Sequence, residues 1–249
     1  MPMDNRLIYK KFLSHSKKVK IVENLYLDEE FAEYYKSISD EDIILNNDLP
    51  LYEKILKKSN NILEIGSGTG RVFNYLFLKG YNIHGLEPSK EMSDYILEEA
   101  KDRIYNLTFQ EIDKLPLDDI ETIIIPATSI SLFSQGDFEI FLYKIMNNQT
   151  KLKNIFFDFM EENFFLEFSE KISKKKIKQE KYYSVNFFDT YNRRIIYNVM
   201  NSKKLGVSIK YIYSLEVISK LFEKLNIRLD VLQSFDNYVM VEGIFNDKR

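Results

Sequence analysis

The chain lacks cysteine and contains only two histidines, which limits the chemistry available to it. Without cysteine it can form no disulfide, no thiolate metal site and no cysteine nucleophile. His15 and His84 are too few for a histidine-rich metal site, and we predict no metal. The formal net charge of −3 argues against nucleic acid as the main partner.

Long apolar runs are also missing. No uninterrupted apolar stretch reaches the roughly 20 residues that a membrane-spanning helix needs. The N-terminal segment MPMDNRLIYKKFLSHSKK has no apolar core of signal-peptide length. We therefore expect a cytoplasmic protein without a membrane partner, present as a monomer or a homodimer.

Glycine is scarce, yet five of the eight glycines fall within NNILEIGSGTGRVFNYLFLKGYNIHGLEPS, residues 60–89. Gly66, Gly68 and Gly70 lie within five residues of one another. Because glycine costs entropy to order, such a cluster marks a tight turn or a close approach of the backbone to a ligand.

Strand and helix patterns alternate from residue 59 to residue 160. Short apolar segments predict strands at 61–65, 81–87, 107–112, 121–127 and 154–160. Helical spacing follows at 71–80, from Ser89 onward, and at 137–148. This alternation indicates an α/β fold with a doubly wound parallel sheet.

The flanking regions have different patterns. Residues 182–214 alternate as antiparallel strands with a hairpin turn at 201–206, and strands at 228–235 and 238–245 are expected to be antiparallel neighbours. We divide the chain into an N-terminal helical cap (1–58), a cofactor-binding α/β core (59–160), inserted antiparallel strands over the active site (161–214) and a C-terminal completion of the sheet (215–249).

A strand that ends in Gly-x-Gly-x-Gly and enters a helix makes a cradle for an adenosyl nucleotide. The spacing here lacks the third glycine of the dinucleotide fingerprint, G-x-G-x-x-G. Glu64 stands two residues before Gly66, where a carboxylate would disfavour a pyrophosphate but would favour a cationic amino-acid group.

LEIGSGTGR (63–71) resembles the first motif of the class I S-adenosylmethionine-dependent methyltransferases. Three later segments resemble further motifs of that family, in order: HGLEPSKEM (84–92), FQEIDKLPL (109–117) and IETIIIPATSISLF (120–133). The last is similar to a subgroup that acts on small molecules. The resemblance implies a seven-stranded, mostly parallel, Rossmann-like sheet and S-adenosyl-L-methionine as cofactor.

The resemblance also assigns cofactor-binding residues. It implies that Glu87 binds the ribose hydroxyls, that Glu64 holds the methionine part, and that Gly66 and Gly68 offer backbone contacts. Glu111 and Ile112 match the pair that contacts adenine. For Glu111 a surface acid is an equal alternative, and Asp113 competes for the same role.

On the acceptor side, the resemblance places Thr128, Ser129 and Tyr35 toward the substrate. Local backbone bonding for Ser129 and ordinary helix packing for Tyr35 are the alternatives. Asp158, Glu161 and Glu162 could position an amine acceptor, with solvated loop charge as the default expectation. No catalytic residue is assigned, and the Asn/Asp-Pro-Pro-aromatic motif of base-methylating enzymes is missing.

These patterns predict methyl transfer to a small-molecule acceptor by in-line displacement. N-methylation is slightly favoured over O-methylation, since a histidine base is not evident and an amine acceptor has its own lone pair. A cofactor-binding regulatory module without turnover is the alternative. A nucleotide-linked oxidoreductase is a third hypothesis, against which the glycine spacing speaks.

Overall fold

The computed structural model describes residues 4–41, 48–58, 60–116, 118–148 and 151–246. Their strands form one seven-stranded sheet and one five-stranded sheet. In spatial order, the seven-stranded sheet contains β11 (Ile227–Phe235), β12 (Tyr238–Phe245), β6 (Asn154–Met160), β5 (Thr122–Ile125), β2 (Ile62–Ile65), β3 (Ile83–Leu86) and β4 (Ile104–Tyr105).

The seven-stranded sheet is mostly parallel. Neighbours from β6 through β5, β2 and β3 to β4 run in the same direction, whereas β12 is antiparallel to both β6 and β11. The predicted doubly wound sheet is therefore confirmed. Because β2, β3, β5 and β6 are parallel, the loops that follow them meet at one edge of the sheet.

Helices cover both faces of this sheet. They include α3 (Leu49–Ile55), α4 (Arg71–Leu78), α6 (Gln135–Asn148) and α8 (Leu215–Lys224). Every residue of β2 and β5 is buried, as expected for strands with a core on each side. One core contains Leu63, Ile123 and Phe157. The other contains their strand neighbours Ile62, Ile124 and Phe156.

The second sheet contains, in spatial order, β1 (Lys20–Val22), β10 (Lys204–Tyr211), β9 (Arg194–Met200), β8 (Glu180–Asp189) and β7 (Ser173–Ile177). Its strands are antiparallel except that β1 runs parallel to β10. The N-terminal region, predicted to be helical, thus contributes a strand here as well. The division of the chain into four segments stays a prediction, and it includes residues outside the described ranges.

Short helices complete the described chain. These are α1 (Leu13–Ser16), α2 (Glu29–Glu41), α5 (Lys90–Ser93) and α7 (Glu162–Phe168), with 3₁₀ turns at Asn5–Leu7, Leu25–Leu27, Glu98–Arg103, Phe109–Lys114 and Ser129–Leu132. No helix within the described residues is both long enough and apolar enough to span a bilayer.

The predicted strand at 107–112 is wrong. Residues Phe109–Lys114 form a 3₁₀ helix instead, and the short strand β4 precedes it. The reason is a capping box, in which the Glu111 carboxylate accepts from the backbone and hydroxyl of Thr108. This local bonding starts a helical turn where the apolar alternation alone favours a strand.

Candidate functional site

The glycine cluster forms the turn between β2 and α4. Gly66, Gly68 and Gly70 have φ angles of 73°, 54° and 83°, in a region that side chains with a Cβ rarely adopt. Gly70 is the N-cap of α4. The turn therefore requires glycine for its backbone conformation.

The three glycines differ in what surrounds them. A Cβ on Gly70 would lie 2.6 Å from the Asn74 amide nitrogen, so this glycine permits close packing of α4. A Cβ on Gly68 would make only an ordinary contact, 3.6 Å from Met92 Cε. On Gly66 the nearest atoms, those of Ser129, also lie at 3.6 Å. Packing of protein atoms alone therefore does not require glycine at positions 66 and 68.

Glu87, at the end of β3, is bonded to this turn. Its Oε2 accepts a hydrogen bond from the Gly68 N–H at 2.8 Å, and its Oε1 accepts from the Ser89 N–H at 2.9 Å. Burial raises the pKa of Glu87, and both hydrogen bonds oppose that rise. Since each carboxylate oxygen has two lone pairs, each can accept one further donor. A ribose role for Glu87 stays a prediction that this geometry allows.

Glu64 is buried beside the turn with part of its carboxylate unsatisfied. The side chain is 1% exposed, and Oε2 has no hydrogen-bond partner among the described residues. Burial raises the pKa of Glu64 to about 8, while the positive charge of Arg71 lowers it. The buried hydroxyls of Ser67 and Thr69 also have no partner there. Buried polar atoms are normally bonded, so these atoms leave room for a polar ligand at the turn, and the methionine-binding role of Glu64 stays a prediction.

Arg71 and Asp48 form a nearly buried ion pair beside Glu64. Two parallel hydrogen bonds of 2.7 Å join the guanidinium to the carboxylate. The Arg71 side chain is 10% exposed and the Asp48 side chain 8%. Arg71 follows the glycine turn directly, whereas Asp48 lies at the start of α3. Sequence analysis missed this pair, because nothing in the pattern around Asp48 identifies its distant partner.

Asp158 is a buried strand residue, and the expectation of a solvated loop charge is wrong. It lies inside β6, is 1% exposed, and accepts from the Thr128 N–H at 2.8 Å and the Tyr52 hydroxyl at 3.4 Å. Burial, helped by the negative charge of Asp48, raises the pKa of Asp158 to about 7. This carboxyl can therefore exchange a proton near neutral pH.

Thr128 and Ser129 lie in the turn after β5, next to the glycine turn. Ala127 and Thr128 both have φ of 57°, a conformation that costs a non-glycine residue about 1 kcal/mol. The hydrogen bond from Thr128 to Asp158 holds this turn in place. The contact between Gly66 and Ser129 shows that the two turns adjoin. Their substrate-facing roles stay predictions.

Tyr35 and Tyr26 belong to the N-terminal region that packs near Glu87. The two rings meet edge to face with centroids 5.8 Å apart, and burial raises the pKa of both hydroxyls. The Tyr26 carbonyl accepts from the Ser89 hydroxyl at 2.6 Å, and the turn Leu25–Leu27 that contains Tyr26 packs against β10. Tyr26, which sequence analysis missed, thus joins the end of β3 to the second sheet.

Glu111 and Ile112 have contacts of their own in the 3₁₀ helix. The Glu111 carboxylate caps that helix and pairs with Lys114 at 2.7 Å, and these bonds lower its pKa to about 2. Ile112 is 3% exposed and belongs to the core that contains Leu63. Asp113 is paired with Lys144. The adenine-binding roles of Glu111 and Ile112 stay predictions, and the contacts of Glu111 identify it as a helix cap.

Neither histidine adjoins Glu64 in the sheet. His84 pairs with Leu63, so its side chain lies on the opposite face of the sheet from that of Glu64. Burial lowers the pKa of His84, whose Nδ1 has no partner among the described residues. His15 belongs to α1, beside Phe12 and Leu13, which pack against the second sheet.

Comparison with known proteins shows similarity to methyltransferases over part of the chain. The model of the methyltransferase domain family matches residues 63–128, from the glycine-turn strand to the turn after β5. An uncharacterized methyltransferase of Bacillus cytotoxicus is 37% identical over 103 residues, which make up 39% of this chain and 47% of that protein. The matched part thus spans about half the length of this curated relative.

Solved structures show the same fold over most of the chain. A S-adenosylmethionine-dependent methyltransferase of Clostridium acetobutylicum has a TM-score of 0.66 at 14% identity, covering 86% of this chain and 97% of that one. CalS10, an amino pentose methyltransferase of Micromonospora echinaspora solved with its cofactor bound, has a TM-score of 0.59 at 11% identity, covering 89% and 98%. At such identities the likeness concerns the fold.

The family model over residues 63–128 and the fold agree with the predicted resemblance to the class I S-adenosylmethionine-dependent methyltransferases. The predicted fold is confirmed. Enzyme activity and S-adenosylmethionine as the cofactor of this chain stay predictions.

Proposed function

We propose that this chain transfers a methyl group from S-adenosylmethionine to a small-molecule acceptor, with an amine nitrogen favoured over a hydroxyl. The observation that carries the proposal is the bonding of Glu87 to the Gly68 N–H beside the unsatisfied carboxylate of Glu64. Two buried carboxylates thus flank one glycine turn, Glu64 before its first glycine and Glu87 bonded to its middle glycine.

In this proposal the chain's own residues bind the cofactor and orient the acceptor. When bound, the cofactor supplies an activated sulfonium methyl group. Glu64 would face its cationic amino-acid part, Glu87 would accept from its sugar hydroxyls, and the N–H groups at the glycine turn would meet its polar atoms. Alignment of the acceptor and exclusion of water can then provide most of the rate acceleration.

The preference for an amine follows from the protonation chemistry of the site. Neither histidine lies beside Glu64, where it could act as a general base. An amine needs no such base for the attack, because it attacks through its own lone pair. Methylation of an amine still releases a proton. Asp158, which holds the turn at Thr128 and has a pKa of about 7, is a carboxyl that can receive it.

The deciding experiment follows label from methyl-labelled cofactor into a panel of small amines and alcohols. We expect label in at least one amine, with product mass increased by one methyl group. If S-adenosylhomocysteine binds but no acceptor is labelled, the regulatory-module alternative is favoured. Label retained on the protein alone would likewise contradict transfer to a small molecule.

A further inference from the structure

The two faces of the five-stranded sheet are covered differently. One face, which we call the Val207 face, packs Val185, Ile196, Leu205 and Val207 against the N-terminal residues Ile8, Tyr9 and Phe12. The other face, which we call the Tyr197 face, carries Asn186, Tyr197, Ser208 and Lys210. Leu25, Phe31 and Tyr34 pack against Tyr182 and Val199 on part of the Tyr197 face.

Lys210 is a cation on the Tyr197 face for which the described part of the chain supplies no counter-charge. Its Nζ lies 5.1 Å from the centre of the Tyr197 ring, and no described residue forms an ion pair or a hydrogen bond with it. Burial lowers the pKa of Lys210 to about 8. The side chain is only partly buried by its accessible surface, so its ammonium group remains open to an anionic ligand that approaches from solvent.

An unsatisfied acceptor lies on the same face. The strand register aligns Asn186, Tyr197 and Ser208 side by side across β8, β9 and β10. Asn186 Oδ1 is buried and has no hydrogen-bond partner among the described residues. The Tyr197 hydroxyl, by contrast, is bonded to that of Tyr34 at 3.3 Å. Asn186 therefore offers an acceptor to a donor group of a ligand. Lys210 offers a charged donor to an anionic group of the same ligand.

The Tyr197 face is connected to the methyl-transfer site at both ends. The turn Leu25–Leu27, which contains Tyr26, packs against β10, and the Tyr26 carbonyl accepts from the hydroxyl of Ser89, two residues after Glu87. Strand β10 also packs against the turn Ser129–Leu132. Just beyond β10, the Tyr213 hydroxyl donates to the Phe133 carbonyl at 3.0 Å. Lys210 therefore stands near the turn at which the acceptor is expected.

We propose that the Tyr197 face binds the methyl acceptor and that Lys210 pairs with an anionic group, a carboxylate or a phosphate, of that acceptor. The substrate is thus an acidic small molecule. Asn186 Oδ1 accepts from a hydroxyl or amine of the same molecule. This inference rests on the proposed function and adds the charge of its substrate.

The test compares acceptors in matched pairs. Carboxylates are represented by β-alanine against its amide, and phosphates by glucosamine 6-phosphate against glucosamine, within a wider panel of such pairs. Transfer of label from methyl-labelled cofactor is measured for the wild-type protein. We expect at least a tenfold higher kcat/KM for the acidic member of some pair, and the pair concerned distinguishes carboxylate from phosphate.

Variants then test Lys210 itself. Lys210→Met should lower kcat/KM for the acidic acceptor at least tenfold and remove the preference, whereas Lys210→Arg should retain most of it. Lys203→Met, an exposed position just before β10, is the matched control and should leave both values unchanged. Calorimetric affinity for S-adenosylhomocysteine should stay within twofold in all three. The comparison of pairs in the wild-type protein holds even if Lys210→Met fails to fold.

The outcomes separate this inference from the proposed function. Transfer to neutral acceptors alone, or a preference that survives in Lys210→Met, would overturn the inference and leave methyl transfer standing. Binding of S-adenosylhomocysteine without transfer to any acceptor would overturn both the inference and the activity, but not the cofactor site. Failure to bind S-adenosylhomocysteine would overturn the cofactor site itself.

Discussion

The Glu87 carboxylate accepts a hydrogen bond from the backbone N–H of Gly68 at 2.8 Å. This bond joins two segments that are 19 residues apart in the chain and that the family resemblance assigns to the same cofactor. The acid at the end of β3 therefore positions the glycine turn and, through its free lone pairs, can bind a ligand seated over it.

Replacing Glu87 should weaken cofactor binding. We expect Glu87→Ala to lower the affinity for S-adenosylhomocysteine more than tenfold, because both the predicted ribose contact and the bond to Gly68 are lost. Glu87→Gln keeps one acceptor oxygen and should lower the affinity less. Isothermal titration calorimetry measures both, with circular dichroism to verify folding. Unchanged affinity in Glu87→Ala would remove Glu87 from the cofactor site.

A methyl group at Gly68 separates backbone strain from ligand contact. Gly68→Ala and Gly80→Ala both place a Cβ at positive φ, 54° and 79°, without a steric clash. Each should therefore lose about 1 kcal/mol of stability. Only Gly68→Ala should lower the affinity for S-adenosylhomocysteine, by tenfold or more. Equal affinities in the two variants would show that the turn does not contact the cofactor.

Glu64 should make stability fall with rising pH. Its pKa is about 8 in the folded protein against 4.5 as the reference value, so between these pH values the folded state binds more protons than the unfolded state. Its contribution is present below pH 4.5 and is lost as the pH rises through 8. Glu64→Gln removes the titration, so its stability relative to wild type should increase by about 2 kcal/mol or more from pH 5 to pH 8.

Urea unfolding at a series of pH values measures this difference. The exposed Glu99→Gln serves as the control and should show no comparable trend. A constant difference between Glu64→Gln and wild type across this range would mean that the Glu64 carboxyl ionises normally in the folded protein.

Replacing only one partner of the Arg71–Asp48 pair should lower the stability of the protein strongly. Arg71→Met leaves the Asp48 carboxylate buried without its partner, and we expect a loss of about 3 kcal/mol. Adding Asp48→Leu should restore much of that stability, since the uncompensated charge is then removed. Lys220→Met, in the exposed pair with Glu216, should change stability little. Chemical unfolding of Arg71→Met, Asp48→Leu, the double variant and Lys220→Met tests this, and additive losses in the double variant would argue against the coupling.

Asp158 should hold the turn after β5 through an acceptor oxygen. Asp158→Asn keeps an oxygen for the Thr128 N–H and should remain close to wild type in stability. Asp158→Leu leaves that N–H unpaired and should lose about 1–3 kcal/mol. Methyl-transfer kcat should fall more in Asp158→Leu than the affinity for S-adenosylhomocysteine does. The reverse order would place Asp158 in cofactor binding instead.

The sequence predicts the central strands of the large sheet better than the segments that connect them. Short apolar runs predict strands β2, β5 and β6, and the β6 bounds agree with the structure. The strand prediction for residues 107–112 is wrong because the hydrogen bonds between Thr108 and Glu111 start a helical turn despite the apolar alternation of this segment. The sequence predicts this helical turn only if Thr108 and Glu111 are recognised as a capping box.

The partners within the site depend on the folded chain. Asp48 meets Arg71, and Asp158 meets Thr128, only once α3, β5 and β6 are packed together. Lys210 looks in sequence like an ordinary outward residue of a strand. Its lack of a partner becomes visible only when the register places it beside Tyr197.

The most direct test of the central claim is a crystal structure of the protein with S-adenosylhomocysteine. We predict electron density for the ligand over the glycine turn, with its ribose hydroxyls within hydrogen-bond distance of Glu87 and its amino group near Glu64. Density for the nucleoside at any other place on the sheet, with Glu64 and Glu87 free of contact, would contradict the account.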